Sequence, residues 1–184
     1  MRRLILGVAL SVAAAPAFAD GLAVTTPAFT DGGTIPMAQV CDRYHGGDHS
    51  PALSWSGEPA GTKSFAITMF DPDAPTGSGF WHWTVFNIPA GVHSLPESAG
   101  DANATTFPAG AGQGRGDAGM SHYHGPCPPV GDSPHHYQIT VFAVKVDKLK
   151  LDANSSGAVV GFNLHFNTLA KAQVTGLYGQ AKAP

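Results

Sequence analysis

Lys63-Ser64-Phe65-Ala66-Ile67-Thr68-Met69-Phe70, followed without a break by Asp71-Pro72-Asp73-Ala74-Pro75-Thr76-Gly77, is the stretch on which the fold turns. Phe65, Ile67 and Met69 alternate with Ala66, Thr68 and Phe70, and both sets are largely apolar. A strand with two apolar faces belongs in the middle of a sheet that is covered on both sides. The two prolines lack the N–H that a ladder needs, so they end the strand and force a turn. Outward from there, a second strand is expected from about Trp83 to Ile88, stopped by Pro89. A third follows the Pro-rich turn at Gly125 to Pro134 and runs from Tyr137 to Val146. Val159, Phe162, Phe166 and Leu169 recur at helical spacing after Asn154-Ser155-Ser156, which can cap a helix N-terminus. Gln173 to Tyr178 reads as a short closing strand. Ala99 to Gly119, rich in Gly and Ala, reads as a long surface excursion. Its Gly110-Ala111-Gly112-Gln113-Gly114 lacks the preceding strand and following helix of a phosphate loop. Many strands and one late helix imply a mostly β domain of two packed antiparallel sheets with a C-terminal helix.

The N-terminus addresses the chain for export. Arg2 and Arg3 precede an uncharged apolar run from Leu4 to Ala15, and Ala17-Phe18-Ala19 supplies a small-x-small cleavage site. Residues 1–19 therefore read as a signal peptide and 20–184 as one mature domain, periplasmic or secreted. The apolar run falls short of the roughly 20 residues that span a bilayer, and no later segment reads as transmembrane. Cleavage lowers Lys+Arg from 10 to 8 against 13 acidic residues, a mature charge of about −5 with His neutral. An acidic chain without a basic cluster is poorly suited to nucleic acid or anionic membrane surfaces. Cys41 and Cys127 are the only cysteines, and in an oxidising compartment a single bridge between them is expected.

Three polar clusters lie where strands begin or end. In Asp71-Pro72-Asp73-Ala74-Pro75, prolines hold two carboxylates in set directions, and Asp71 also suits a local Asx turn. In Trp81-His82-Trp83, strict alternation sets His82 on the face opposite both tryptophans. In Gly125-Pro126-Cys127-Pro128-Pro129, followed by His135-His136-Tyr137, the prolines leave the amides of Gly125, Cys127, Val130 and Gly131 as candidate anion donors.

These clusters in this order, with Ser50-Pro51-Ala52-Leu53-Ser54-Trp55 before them and Ser156-Gly157-Ala158 after, resemble the phosphatidylethanolamine-binding protein family in its bacterial Raf-kinase-inhibitor-like branch. The likeness spans essentially the whole mature chain. It implies a Greek-key β-sandwich with a shallow pocket at one sheet end that takes phosphate head groups, acetate or phosphorylated side chains. By the same likeness Asp71, Asp73, His82, Gly125, Cys127, Pro129, His135 and Tyr137 are ligand-binding residues. The segment from Cys41 to Ser50, carrying Tyr44, His45 and His49, looks lengthened against the family pattern, and Pro126 and Cys127 replace small residues.

The functional expectation is an exported binder of a small anionic or phosphorylated ligand that modulates or inhibits a partner enzyme of unknown identity. No catalytic residue, metal ligand or cofactor is assigned. The alternative is a metal-dependent hydrolase built on the Asp/His pocket, since nine histidines and Asp71-x-Asp73 include legitimate metal donors. No H-E-x-x-H signature or G-x-S-x-G elbow supports it. Two carboxylates beside a bound anion repel it unless they are engaged elsewhere. The expected solution is that Asp71 or Asp73 pairs with His82 while His135 donates to the ligand, with affinity rising as pH falls through about 6.5.

Overall fold

A computed structural model describes residues 21–182; the expected signal segment and its cleavage site lie outside the described residues. The strands are β1 (Ala23–Thr25), β2 (Leu53–Ser56), β3 (Ser64–Asp71), β4 (Phe80–Pro89), β5 (Ser94–Leu95), β6 (Gly112–Gln113), β7 (His135–Val144) and β8 (Thr168–Tyr178). Among the described residues one α-helix, α1 (Gly157–Asn167), precedes β8. They form a three-stranded sheet in the order β1-β2-β5 and a five-stranded sheet in the order β6-β4-β3-β7-β8, antiparallel throughout.

The two-faced reading of β3 holds, because β3 is the middle strand of the larger sheet. Phe65, Ile67 and Met69 point into the core between the sheets with Leu53, Trp55, Trp83, Ile139 and Val141. Ala66, on the other face, packs in a second apolar cluster with Phe86, Val144, Leu149 and the α1 residues Val160 and Leu164. The protein thus has three layers, with the five-stranded sheet in the middle and an apolar core on each of its faces.

The late helix forms where expected, and Ser156 caps it by accepting from the Val159 amide at 3.4 Å. The apolar stripe that marks it in the sequence is not its buried face. Val159, Phe162, Phe166 and Leu169 are exposed, Phe162 at 67% and Phe166 at 57%, while Gly157, Val160 and Leu164 face the sheet. The reason is steric: a Cβ at residue 157 would lie 2.1 Å from Cγ of Trp81, so only glycine admits the indole there. Trp81 fixes the helix by its small face and turns the larger side chains outward. The closing strand is also longer than expected, since β8 begins at Thr168 directly after the helix and takes in Leu169.

Strand register brings the three polar clusters to one sheet end. Asp71, the last residue of β3, pairs with Phe80, the first of β4, and Phe70 pairs with Gln138 near the start of β7. The ladder shifts between Met69 and Phe70, which face Trp83 and Trp81 respectively, so His82 is an extra residue on β4. This bulge overturns strict alternation in Trp81-His82-Trp83. Trp81 packs on the helix side, Trp83 lies in the central core, and His82 turns toward Tyr137 with ring centroids 5.2 Å apart. Bulges re-aim side chains in this way, often beside functional sites.

A concavity at one sheet end

A cavity of about 360 Å³ opens where the β3–β4 turn, the start of β4 and the Pro-rich loop meet. Asp71, His82, Cys127, Pro129 and His135 line it, so both imidazoles flank one space as expected. Three other expected residues lie outside its wall. Tyr137 is fully buried beneath it, Gly125 is buried in the loop, and Asp73 lines a neighbouring surface depression with His136.

Asp71 and His135 form the buried centre. They are 2% and 4% exposed, and His135 Nδ1 lies 2.7 Å from Asp71 Oδ2. The other oxygen, Oδ1, accepts from the Asp73 amide at 2.9 Å, which is the expected Asx turn. The Asp71 carboxylate is therefore engaged by two donors of the protein itself. Asp73 is likewise occupied by His136, whose amide and Nδ1 both lie 2.7 Å from Oδ2. The His136 amide, followed by its ring, holds the Asp73 carboxyl below its ordinary value. The carboxylates are thus engaged as required, but with different partners: neither is hydrogen-bonded or ion-paired with His82.

His82 instead meets the backbone carbonyl of His124, 2.9 Å from its Nδ1. A carbonyl only accepts, so Nδ1 carries the proton and Nε2 holds a lone pair in the neutral ring. His82 is 4% exposed, and burial brings its pKa down from 6.5 to about 3, against the favourable hydrogen bond to the carbonyl. This ring is neutral throughout the ordinary pH range, so it supplies no positive charge to an anion. The ring of His124, which the sequence reading left outside the site, stacks on it at 5.9 Å and 12° and lines the cavity.

The amide donors of the loop are only partly available. Gly125 N–H donates to Asp48 Oδ1 at 2.6 Å and Gly131 N–H donates to the Gln180 carbonyl at 2.7 Å, so both are lost to a ligand. Tyr137 keeps a buried hydroxyl with no hydrogen-bond partner among the described residues. Burial pushes its phenol far up, Asp71 adds to the shift and the Cys127 amide opposes it. It is a neutral donor held between the rings of His82 and His135.

The expected disulfide joins Cys41 to Cys127, tying the lengthened segment to the loop. The 3₁₀ turn Asp42–Tyr44 then reaches the cavity: the Tyr44 hydroxyl donates to the Pro128 carbonyl at 2.5 Å, and Arg43 lines the wall. Arg43 is missed by motif reading because it stands in a segment outside the shared clusters. A larger cavity of about 590 Å³ holds Asp48, His49, Asp101 and His122 but none of the expected site residues.

Comparison with known proteins agrees with this architecture. The family model for phosphatidylethanolamine-binding protein matches residues 25–179. YbcL of Escherichia coli strain K12 is 48% identical over 180 residues, covering 97% of this chain and 98% of YbcL. YbhB of the same organism is 45% identical over 150 residues, covering 80% and 94%. The crystal structure of E. coli YbcL, described as a new member of the mammalian PEBP family, aligns with a TM-score of 0.84 and 50% identity, covering 88% of this chain and 99% of that one. With a family match across nearly all of the described residues and relatives this similar, the chain belongs to the phosphatidylethanolamine-binding protein family, a ligand-binding fold.

Proposed function

We propose that this protein is an exported binder of small anions bearing a phosphate or carboxylate group, and that the 360 Å³ cavity is its binding site. The observation that carries the reading is the engagement of the acidic residues. Asp71 is held by His135 and the Asp73 amide, which removes the repulsion that two bare carboxylates would present. On the cavity wall the Arg43 guanidinium remains as a donor with no carboxylate partner. Export follows from residues 1–19 read as a signal peptide, with 20–184 as the mature domain. The Cys41–Cys127 bridge accords with an oxidising compartment, periplasmic or extracellular. Modulation of a partner enzyme belongs to the same reading, with the liganded loop as the presented surface.

Calorimetric titration of the mature protein with phosphoethanolamine tests the site. Saturable binding that Asp71→Ala abolishes supports it; heats no larger than dilution, or binding indifferent to that change, reject it. Mass spectrometry of small molecules released from the natively purified protein then identifies the physiological ligand.

A further inference from the structure

The proposed site lacks an obvious source of positive charge, and one arginine supplies it. His82 is a neutral ring with its Nδ1 proton committed to the His124 carbonyl. Among the residues that line the cavity, Arg43 is the single Lys or Arg. The carboxylate that lines the cavity and those that face its histidines have other partners. Asp71 holds His135, Asp48 holds the Gly125 amide and lies 3.8 Å from His124, and Asp132 lies 3.6 Å from His135 Nε2. None of the carboxylates among the described residues comes within 4.0 Å of the Arg43 guanidinium.

The guanidinium is also placed by the fold. Arg43 is the middle residue of the 3₁₀ turn Asp42–Tyr44, and that turn is tethered on both sides. Before it, Cys41 bonds to Cys127 and its amide donates to the Pro126 carbonyl at 3.2 Å; after it, Tyr44 donates to Pro128. His45 closes the turn in the left-handed region at φ 59°. Gly46 must be glycine, because a Cβ there would lie 2.1 Å from the Val40 carbonyl oxygen. The Arg43 guanidinium carbon lies 5.9 Å from the Tyr44 ring centroid, a stacking that orients the fork.

We propose that Arg43 is the residue by which this cavity selects doubly charged phosphate monoesters over singly charged anions of the same size. The proposal rests on the reading of the cavity as an anion site. Neutral donors can hold a singly charged group, but a second charge leaves water only against a permanent counter-charge. A guanidinium meets that need and adds a planar fork that matches two phosphate oxygens, which an ammonium does not.

Phenyl phosphate and phenyl sulfate are the probes, since at pH 7.5 they share a shape and carry close to two charges and one. Isothermal titration of the mature disulfide-bonded protein should show phenyl phosphate binding about tenfold or more tightly than phenyl sulfate. Arg43→Gln should bring the ratio close to one, mainly by weakening phenyl phosphate. Arg43→Lys should recover part of the preference. Arg43 is exposed, so both variants should fold, and an unchanged melting temperature verifies it. Equal affinities in the parent, or a preference that survives Arg43→Gln, overturns the proposal while leaving the anion site in place. Failure of the parent to bind either probe sinks the underlying reading, and the proposal with it.

Discussion

At the scale of single residues, the cavity commits its protons to protein partners in advance. The His82 ring is neutral in the folded chain, with a pKa near 3, and free imidazole in the unfolded chain titrates near 6.5. Between those values the unfolded state binds a proton that the folded state refuses, so stability rises with pH and is lost as pH falls below about 6.5. The slope from this one group reaches about 1.4 kcal/mol per pH unit. Urea unfolding from pH 4 to 7 should show it, and His82→Gln should remove it even if that variant is less stable at every pH. Equal slopes in parent and variant would contradict the buried neutral ring. Asp71 makes the complementary case, because it accepts from both His135 and the Asp73 amide. Asp71→Ala strands two donors and should cost about 3 kcal/mol, whereas Asp71→Asn keeps one acceptor oxygen and should cost less than half of that. Equal costs in urea unfolding would show that the hydrogen bonds at Asp71 are not what stabilises the pair.

At the scale of elements, the bulge in β4 and the orientation of α1 share one cause. Both arise from Trp81, whose indole the extra residue at His82 sends to the helix side and which Gly157 then admits. Sequence periodicity found the strands and the helix because alternation and spacing are local properties. It could not find the bulge, which depends on which residues β3 presents opposite. Nor does spacing tell which helix face is buried, because the large apolar side chains fall on the exposed side and the buried side is made of Gly157, Val160 and Leu164. The faces can be told apart by mutation. Leu164→Ala should cost about 2–4 kcal/mol in thermal or urea unfolding, since it empties a packed site between helix and sheet. Phe162→Ser should stay within about 0.5 kcal/mol. The reverse ranking would place the periodic stripe back in the core.

At the scale of the whole molecule, the site exists because strand register delivers distant motifs to one end and the disulfide carries a fourth segment across to them. The first part was legible: prolines at strand ends mark the rim, and ordered motifs locate Asp71, His82 and His135 together. The pairing among them was not, because which carboxylate meets which imidazole is decided by tertiary register rather than by proximity in sequence. Arg43 escaped for the same reason, being brought in by the Cys41–Cys127 bond across 86 residues and by the hydrogen bonds of Cys41 and Tyr44 to the loop. In the chain-entropy view, a bridge closing a loop of that size restricts the unfolded ensemble and adds up to about 4–5 kcal/mol. Its removal does not free the segment entirely, because the Cys41 amide, Tyr44 and Asp48 still bond to the loop. The Cys41→Ser/Cys127→Ser variant should therefore fold at neutral pH with a free energy of unfolding lower by about 3–5 kcal/mol. Within that folded state the turn bearing Arg43 should loosen first, so amide exchange should quicken at residues 42–47 and 125–130 while the β3–β7 ladder stays protected. A stability loss below about 1 kcal/mol, or exchange that quickens evenly through the sheet, would mean that the bridge does not specifically hold the pocket wall.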